Sequence, residues 1–252
     1  MGTLLRDTGT VFWRAMRLSL RNPAWLVIMM MQPILYIVLF GPLLEPIAGQ
    51  LGAGNAYQIF VPGILVQLGI FGSLFVGFGL IAEYRAGVIE SQRVTPASRT
   101  ALLVGRLARD VGQLFVQALI LIGLGYLMGM RAPIEGVVIG VILTLLVGGA
   151  CAAASNALAL TTKSEDVMAP VINMVMMPVL LLSGILLPMT LGPQWLQRVS
   201  DFMPFKWIVD AVRDSFAGDM LTSNMFWGTT WALALFALAV WWGTSVFRKE
   251  NA

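Results

Sequence analysis

Long apolar runs, separated by short polar intervals, set the pattern of this chain. Six of them stand out, at about 24–44, 58–82, 101–130, 134–162, 167–189 and 225–247. The hydrocarbon layer of a bilayer is roughly 30 Å thick, and a helix rising about 1.5 Å per residue crosses it in about 20 residues. Each run is long enough. Backbone N–H and C=O groups find no water in lipid, so only helices or closed barrels satisfy them there. The runs lack the period-two alternation of barrel strands. The pattern therefore predicts an all-α membrane protein of six transmembrane helices, forming one transmembrane domain over residues 1–252.

Three polar intervals are more structured than plain loops. The first is residues 1–22. In it Leu5, Thr8, Phe12, Ala15, Met16 and Ser19 share one side of a helix, opposite Asp7, Thr10, Arg14, Arg17 and Arg21. An amphipathic helix of this kind lies in the headgroup layer with its arginines toward anionic lipid, and Asn22-Pro23 ends it before the first span. The run that follows is long, contains Gln32 and Pro33, and has no clean small-residue cleavage site after it. It reads as a retained span and not as a signal peptide.

The second interval, EYRAGVIESQRVTPASRTALLVGRLARD from Glu83 to Asp110, carries most of the chain's organised charge. Glu83, Arg85, Glu90 and Arg93 surround Val88-Ile89, and Thr95-Pro96 supplies an N-cap with proline at the first helical position. One short helix stops and another starts. In the new helix Arg99, Arg106 and Arg109 share a side, and Arg106 and Asp110, spaced i, i+4, are expected to form a surface pair. So structured a charged elbow does more than turn the chain around, the alternative being a solvated loop carrying positive-inside charge. The third interval, 190–224, is punctuated by Gly192-Pro193 and Met203-Pro204 and holds Trp195, Phe202, Phe205 and Trp207, aromatics suited to a membrane interface. Asp210 and Arg213, at i, i+3, are placed to pair with each other.

Charge placement adds orientation. With an even number of spans both termini share a side, and that side holds Arg6, Arg14, Arg17, Arg21, Arg85, Arg93, Arg99, Arg106, Arg109, Lys163, Arg248 and Lys249. The opposite side holds Arg131, Arg198, Lys206 and Arg213. The excess predicts cytoplasmic termini and makes 190–224 external.

Composition then removes chemistries. Charged residues make up only 12% of the chain against 58% hydrophobic, whereas a soluble domain carries about 25% charge. There is no histidine and a single cysteine, which excludes a Ser-His-Asp triad, His-ligated zinc and an intrachain disulfide. The net charge of +3 is not gathered on a solvated face, so it does not point to nucleic acid. A phosphate loop needs Gly-Lys-Ser/Thr, and the three lysines instead follow Thr162, Phe205 and Arg248. No charged residue is expected in the middle of a span, unlike a proton-coupled pump. Polar positions inside the spans include Gln67, Ser73, Asn173 and Ser183, and Met177 belongs to a methionine-rich surface around Asn173; these are candidates to line a route, with helix–helix hydrogen bonding as the competing role. Gly69, Gly72, Gly77 and Gly79 in span two, with Gly148 and Gly149 in span four, are expected to let helices approach closely.

Taken in order along the chain, these features resemble the six-span permeases of ABC exporters, particularly the daunorubicin/doxorubicin-resistance type. The resemblance rests on E-x-R-x-G-x-x-E at Glu83, Arg85, Gly87 and Glu90, on T-P-x-S-R at Thr95, Pro96, Ser98 and Arg99, and on Gly105-Arg106. A second series lies at Ser183, Gly184, Pro188, Pro193, Trp195, Leu196, Pro204, Asp210, Arg213 and Gly218. The resemblance implies that 83–100 is a coupling element docking on a separate ATPase subunit through Glu83, Arg85, Glu90, Arg93, Thr95, Pro96, Ser98 and Arg99. It implies a connecting helix with Arg14, Arg17 and Arg21, and an external re-entrant cap including Trp195, Pro204, Asp210 and Arg213. ATP and Mg would belong to the ATPase, present in two copies, and a second permease, identical or homologous, would complete a route lined by spans two and five. The expected function is efflux of hydrophobic or amphiphilic compounds such as antibiotics from a bacterial cell. Export of a lipid-linked glycan or lipo-oligosaccharide is the alternative within this architecture; a secondary transporter or channel is the alternative outside it.

Overall fold

A computed structural model describes residues 16–17, 24–48, 55–86 and 99–249. Among them all regular structure is helical. The helices are α1 (Ala24–Ala48), α2 (Ala56–Leu74), α3 (Val76–Arg85), α4 (Arg99–Leu127), α5 (Ile134–Thr162), α6 (Glu165–Leu182), α7 (Gln194–Asp201), α8 (Pro204–Ala217) and α9 (Ser223–Lys249). Six apolar segments are long enough to cross a membrane: one in each of α1, α4, α5, α6 and α9, and one running through α2 and α3 together. The chain is thus a multi-pass membrane protein, as its hydropathy pattern predicts.

Local chemistry explains where the spans end. Asn55 caps α2, its side chain accepting from Tyr57 N at 2.8 Å while its Nδ2 donates to Gly129 O at 3.2 Å. Gly129 adopts φ +100°, so α4 stops there and the chain turns back within a few residues. At the other end of α5, Lys163 takes the left-handed conformation at φ 51°, leaving only Lys163 and Ser164 between spans four and five. Span five ends earlier than its apolar pattern suggests. The run continues to 189, but α6 stops at Leu182 because Gly184 turns left-handed at φ +68°.

Span four is the hub: α5 packs against α2, α3, α4, α6, α8 and α9. Its small residues permit this. A Cβ at Gly148 would run into Leu114, and one at Gly149 would lie 2.9 Å from the Phe236 ring. Gly69 and Gly77 of span two are equally tight, against Thr144 and Ser155 respectively. Gly72 and Gly79 differ from expectation, since a Cβ at either would meet open space. Of these four glycines, the two that permit close approach are those facing α5.

Span two contains the main irregularity. Its helix breaks at Phe75 although no proline is near, and Ser155 of span four takes over the groups that the break releases. The Ser155 hydroxyl donates to Leu74 O at 2.5 Å and accepts from Gly77 N at 3.0 Å.

Candidate functional site

Two regions collect the singled-out residues, one at each end of the bundle. At the elbow end, the chain leaves α3 at Arg85 and re-enters as α4 at Arg99. Glu90, Arg93, Thr95, Pro96 and Ser98 lie between and are outside the described residues, as are Arg14 and Arg21; of Arg99 only the helical backbone is described. Arg17 is helical and exposed.

The two ends of that interval are fastened to each other. Arg106 Nη2 of α4 lies 2.5 Å from Glu83 Oε2 of α3, with the arginine side chain 8% exposed and the glutamate 34%. Arg109 sits 2.7 Å from Asp110, whose side chain is 1% exposed. This corrects the expected surface pair: Arg106 and Asp110 are both buried, because α4 turns that side toward the bundle. A third pair, Arg85 with Glu165 at 3.1 Å, ties α3 to the first turn of α6 at the surface. Next to it Lys163 Nζ lies 5.5 Å from the Tyr84 ring centroid. Glu83 and Arg85 therefore engage partners within the chain, and α3 is joined to spans three and five at the point where the elbow begins.

A cavity of about 360 Å³ lies between spans one, two and five. Ile28, Gln32, Gln67, Phe71, Phe75 and Met176 line it, and its size falls in the range of about 300–1,000 Å³ typical of small-molecule sites. Gln67 is buried, and its Oε1 has no partner among the described residues. Gln32 donates to Tyr36 OH at 3.2 Å. The walls are otherwise apolar and carry no charge, so the space suits an apolar body bearing a hydrogen-bond donor. Ser73 is buried near Gly148, away from this cavity's lining. Asn173 and Met177 face outward instead: both are exposed on α6, along with Met174. Spacing alone did not separate these faces, because polar and apolar residues mix around span five.

At the cap end, α8 is more deeply placed than a lid resting on the surface. Ile208, Val209, Ala211, Val212 and Phe216 are fully buried, and the helix packs on α2, α5 and α9. Pro204 opens it at the first helical position, and Gly218 at φ +95° closes it. Trp195 of the neighbouring α7 and Phe202 just after it stay exposed. The sequence-predicted pair exists, Arg213 lying 3.6 Å from Asp210, but its geometry is secondary. Arg213 donates from Nε to Ile59 O at 3.2 Å and from Nη2 to Gly184 O at 2.5 Å and Ile185 O at 3.1 Å. Burial lowers its pKa to about 10, which still leaves it a cation at neutral pH. Burial also raises the Asp210 carboxyl, against the attraction of Arg213 and Lys206. The contacts to backbone carbonyls were invisible to spacing, because they join positions far apart along the chain.

The amino-acid sequence that builds this bundle is similar to those of known permeases. Over 218 residues the chain is 25% identical to a daunorubicin resistance ABC transporter permease protein of Streptomyces coeruleorubidus, covering 86% of this chain and 77% of that one. It is 25% identical over 206 residues to a probable doxorubicin resistance ABC transporter permease protein of Mycobacterium tuberculosis, covering 81% and 74%. A putative transport permease of Cyanophora paradoxa is likewise 25% identical over 224 residues, covering 87% and 76%. The family profile for ABC-2 type transporters matches residues 6–217, which takes in the first five spans, the elbow and the buried α8. The chain belongs to the ABC-2 type transporter family, as one of its membrane-spanning permeases.

Proposed function

We propose that this chain is the permease subunit of an ATP-driven exporter of hydrophobic or amphiphilic compounds, set in a bacterial plasma membrane with both termini cytoplasmic. The family match over residues 6–217 carries the reading, and the drug-resistance permeases among its relatives favour efflux. ATP and Mg are handled by a separate ATPase subunit, two copies of which serve a pair of permeases. The second permease, identical or homologous, covers the outward-facing side of span five, where Asn173 places an amide among exposed Val171, Met174, Val175 and Met177.

On this reading the elbow is the docking element, with Glu90, Arg93, Thr95, Pro96, Ser98 and Arg99 reaching the ATPase. Glu83 and Arg85 form its base, and movement of the ATPase passes through them to α3. Ser155 holds the break at Phe75, about which α3 turns as a rigid piece relative to α2. The cavity at Gln67, Phe71 and Phe75 borders that break, so turning α3 changes its shape. Cargo held there is released by the same motion.

Reversing both Arg93 and Arg99 to glutamate tests the docking. The ATPase is expected to stop copurifying with the permease, and ATP-dependent transport is expected to fall to background; retention of both would overturn the assignment. Cargo is tested by ATPase stimulation in vesicles holding the whole complex. Stimulation by an amphiphilic drug supports efflux, whereas a response to a lipid-linked sugar alone would move the chain to glycan export.

A further inference from the structure

The guanidinium of Arg213 occupies a position that neither a local ion pair nor a surface cap explains. It is buried where three elements meet: α8, which carries it; the first turns of span two, through Ile59; and the chain leaving span five, through Gly184 and Ile185. The carbonyls beyond Leu182 follow the end of a helix, where backbone acceptors lack intrahelical partners and the helix dipole is negative. A cation there satisfies several at once. Span two and the chain leaving span five also touch backbone to backbone beside it, because a Cβ at Gly63 would overlap Ile185 O. The Asp210 carboxylate is farther from Arg213, at 3.6 Å, than any of the three carbonyls is. Asp210 also faces Lys206 at 3.7 Å, and Lys206 holds Asp201 of α7 at 2.7 Å. A line of charges thus runs from the exposed α7 to the buried seam.

We infer that Arg213 is a positioning residue that latches the cap end of span five to span two, so that the seam between them opens only when α8 withdraws. The inference uses the proposed route between spans two and five, and it adds the device that closes one end. Ser183, fully buried one residue before Gly184, reports on the seam. Its Oγ has no partner among the described residues, so a thiol is tolerated in its place.

The S183C variant is expressed in cells and treated with a membrane-impermeant maleimide, with inverted vesicles treated in parallel. In the Arg213 background the introduced thiol is expected to react slowly. Hydrogen bonds to a charged donor are strong enough that R213Q should raise the labelling rate at least about tenfold, and R213K less, since an ammonium reaches fewer of the carbonyls. Native Cys151, buried in span four, is the control. An unchanged rate at position 183 in R213Q overturns the latch, and so does equal acceleration at Cys151, which would mean general loosening. If R213Q does not accumulate in the membrane, R213K decides by the same comparison. The assay needs neither cargo nor ATPase, so its outcome is independent of whether the chain exports drugs.

Discussion

Neutralising Glu83 is expected to destabilise the folded chain by about 2 kcal/mol, far more than neutralising an exposed charge. Removing one partner of a fully buried ion pair costs about 3–5 kcal/mol, because the remaining charge stays desolvated. Arg106 approaches that limit with its side chain 8% exposed, while Glu83 at 34% is partly screened by solvent, which brings the figure down. E83Q keeps the shape and removes the charge. The measurement is the thermal midpoint of the detergent-purified protein for E83Q, R106Q and the double variant. The double variant should lose less than the two single losses added together, since each single change already removes the attraction between the two groups. Strict additivity would show that the two groups do not support each other. R85Q, which breaks the exposed pair with Glu165, should shift the midpoint little, as exposed pairs contribute about 0–1 kcal/mol.

Disturbing the break in span two should separate ATP hydrolysis from transport. Ser155→Ala leaves Leu74 O and Gly77 N without the hydroxyl that serves both, at a cost of about 1–3 kcal/mol each when such groups stay buried and dry. The helix then either straightens through Phe75 or admits water, and in both cases α3 loses its defined angle to α2. The expected result is a complex that assembles and hydrolyses ATP but transports at least about tenfold less, a loss equivalent to roughly 1.4 kcal/mol. Ser155→Thr retains the hydroxyl and should recover part of the coupling. Gly77→Val is expected to be harsher, because its Cβ would meet the Ser155 backbone oxygen as well as the side chain, and overpacking of that kind typically costs about 1–3 kcal/mol. Normal export by both Ser155→Ala and Gly77→Val would remove the break from the transport cycle.

Spans were legible in the sequence because crossing lipid demands length and apolarity, properties of a single segment. Breaks were not legible in the same way. Pro33, Pro42 and Pro46 all lie inside the continuous α1, while the break at Phe75 has no proline and depends on a hydroxyl 80 positions further along the chain. Neighbouring spans decide which released backbone groups find partners, so the proline rule of soluble helices weakens. Charge behaved similarly. The spacing of Arg106 and Asp110 suggested a surface pair, but packing buries both and sets Glu83 beside Arg106 across the elbow and Arg109 beside Asp110. Arg213 could be matched to Asp210 by spacing, whereas Gly184, Ile185 and Ile59 offer carbonyls that every residue possesses and no pattern marks.

The crowding around span four fixes a frame of reference for motion. With glycine-level tolerances against Leu114, Phe236 and Ser215 along its length, α5 has no room to slide or roll without collisions at several heights. Displacements during a transport cycle are therefore expected to reduce to rotations about an axis anchored in α5, with a single angular coordinate, that of α3 at Phe75, carrying most of the travel.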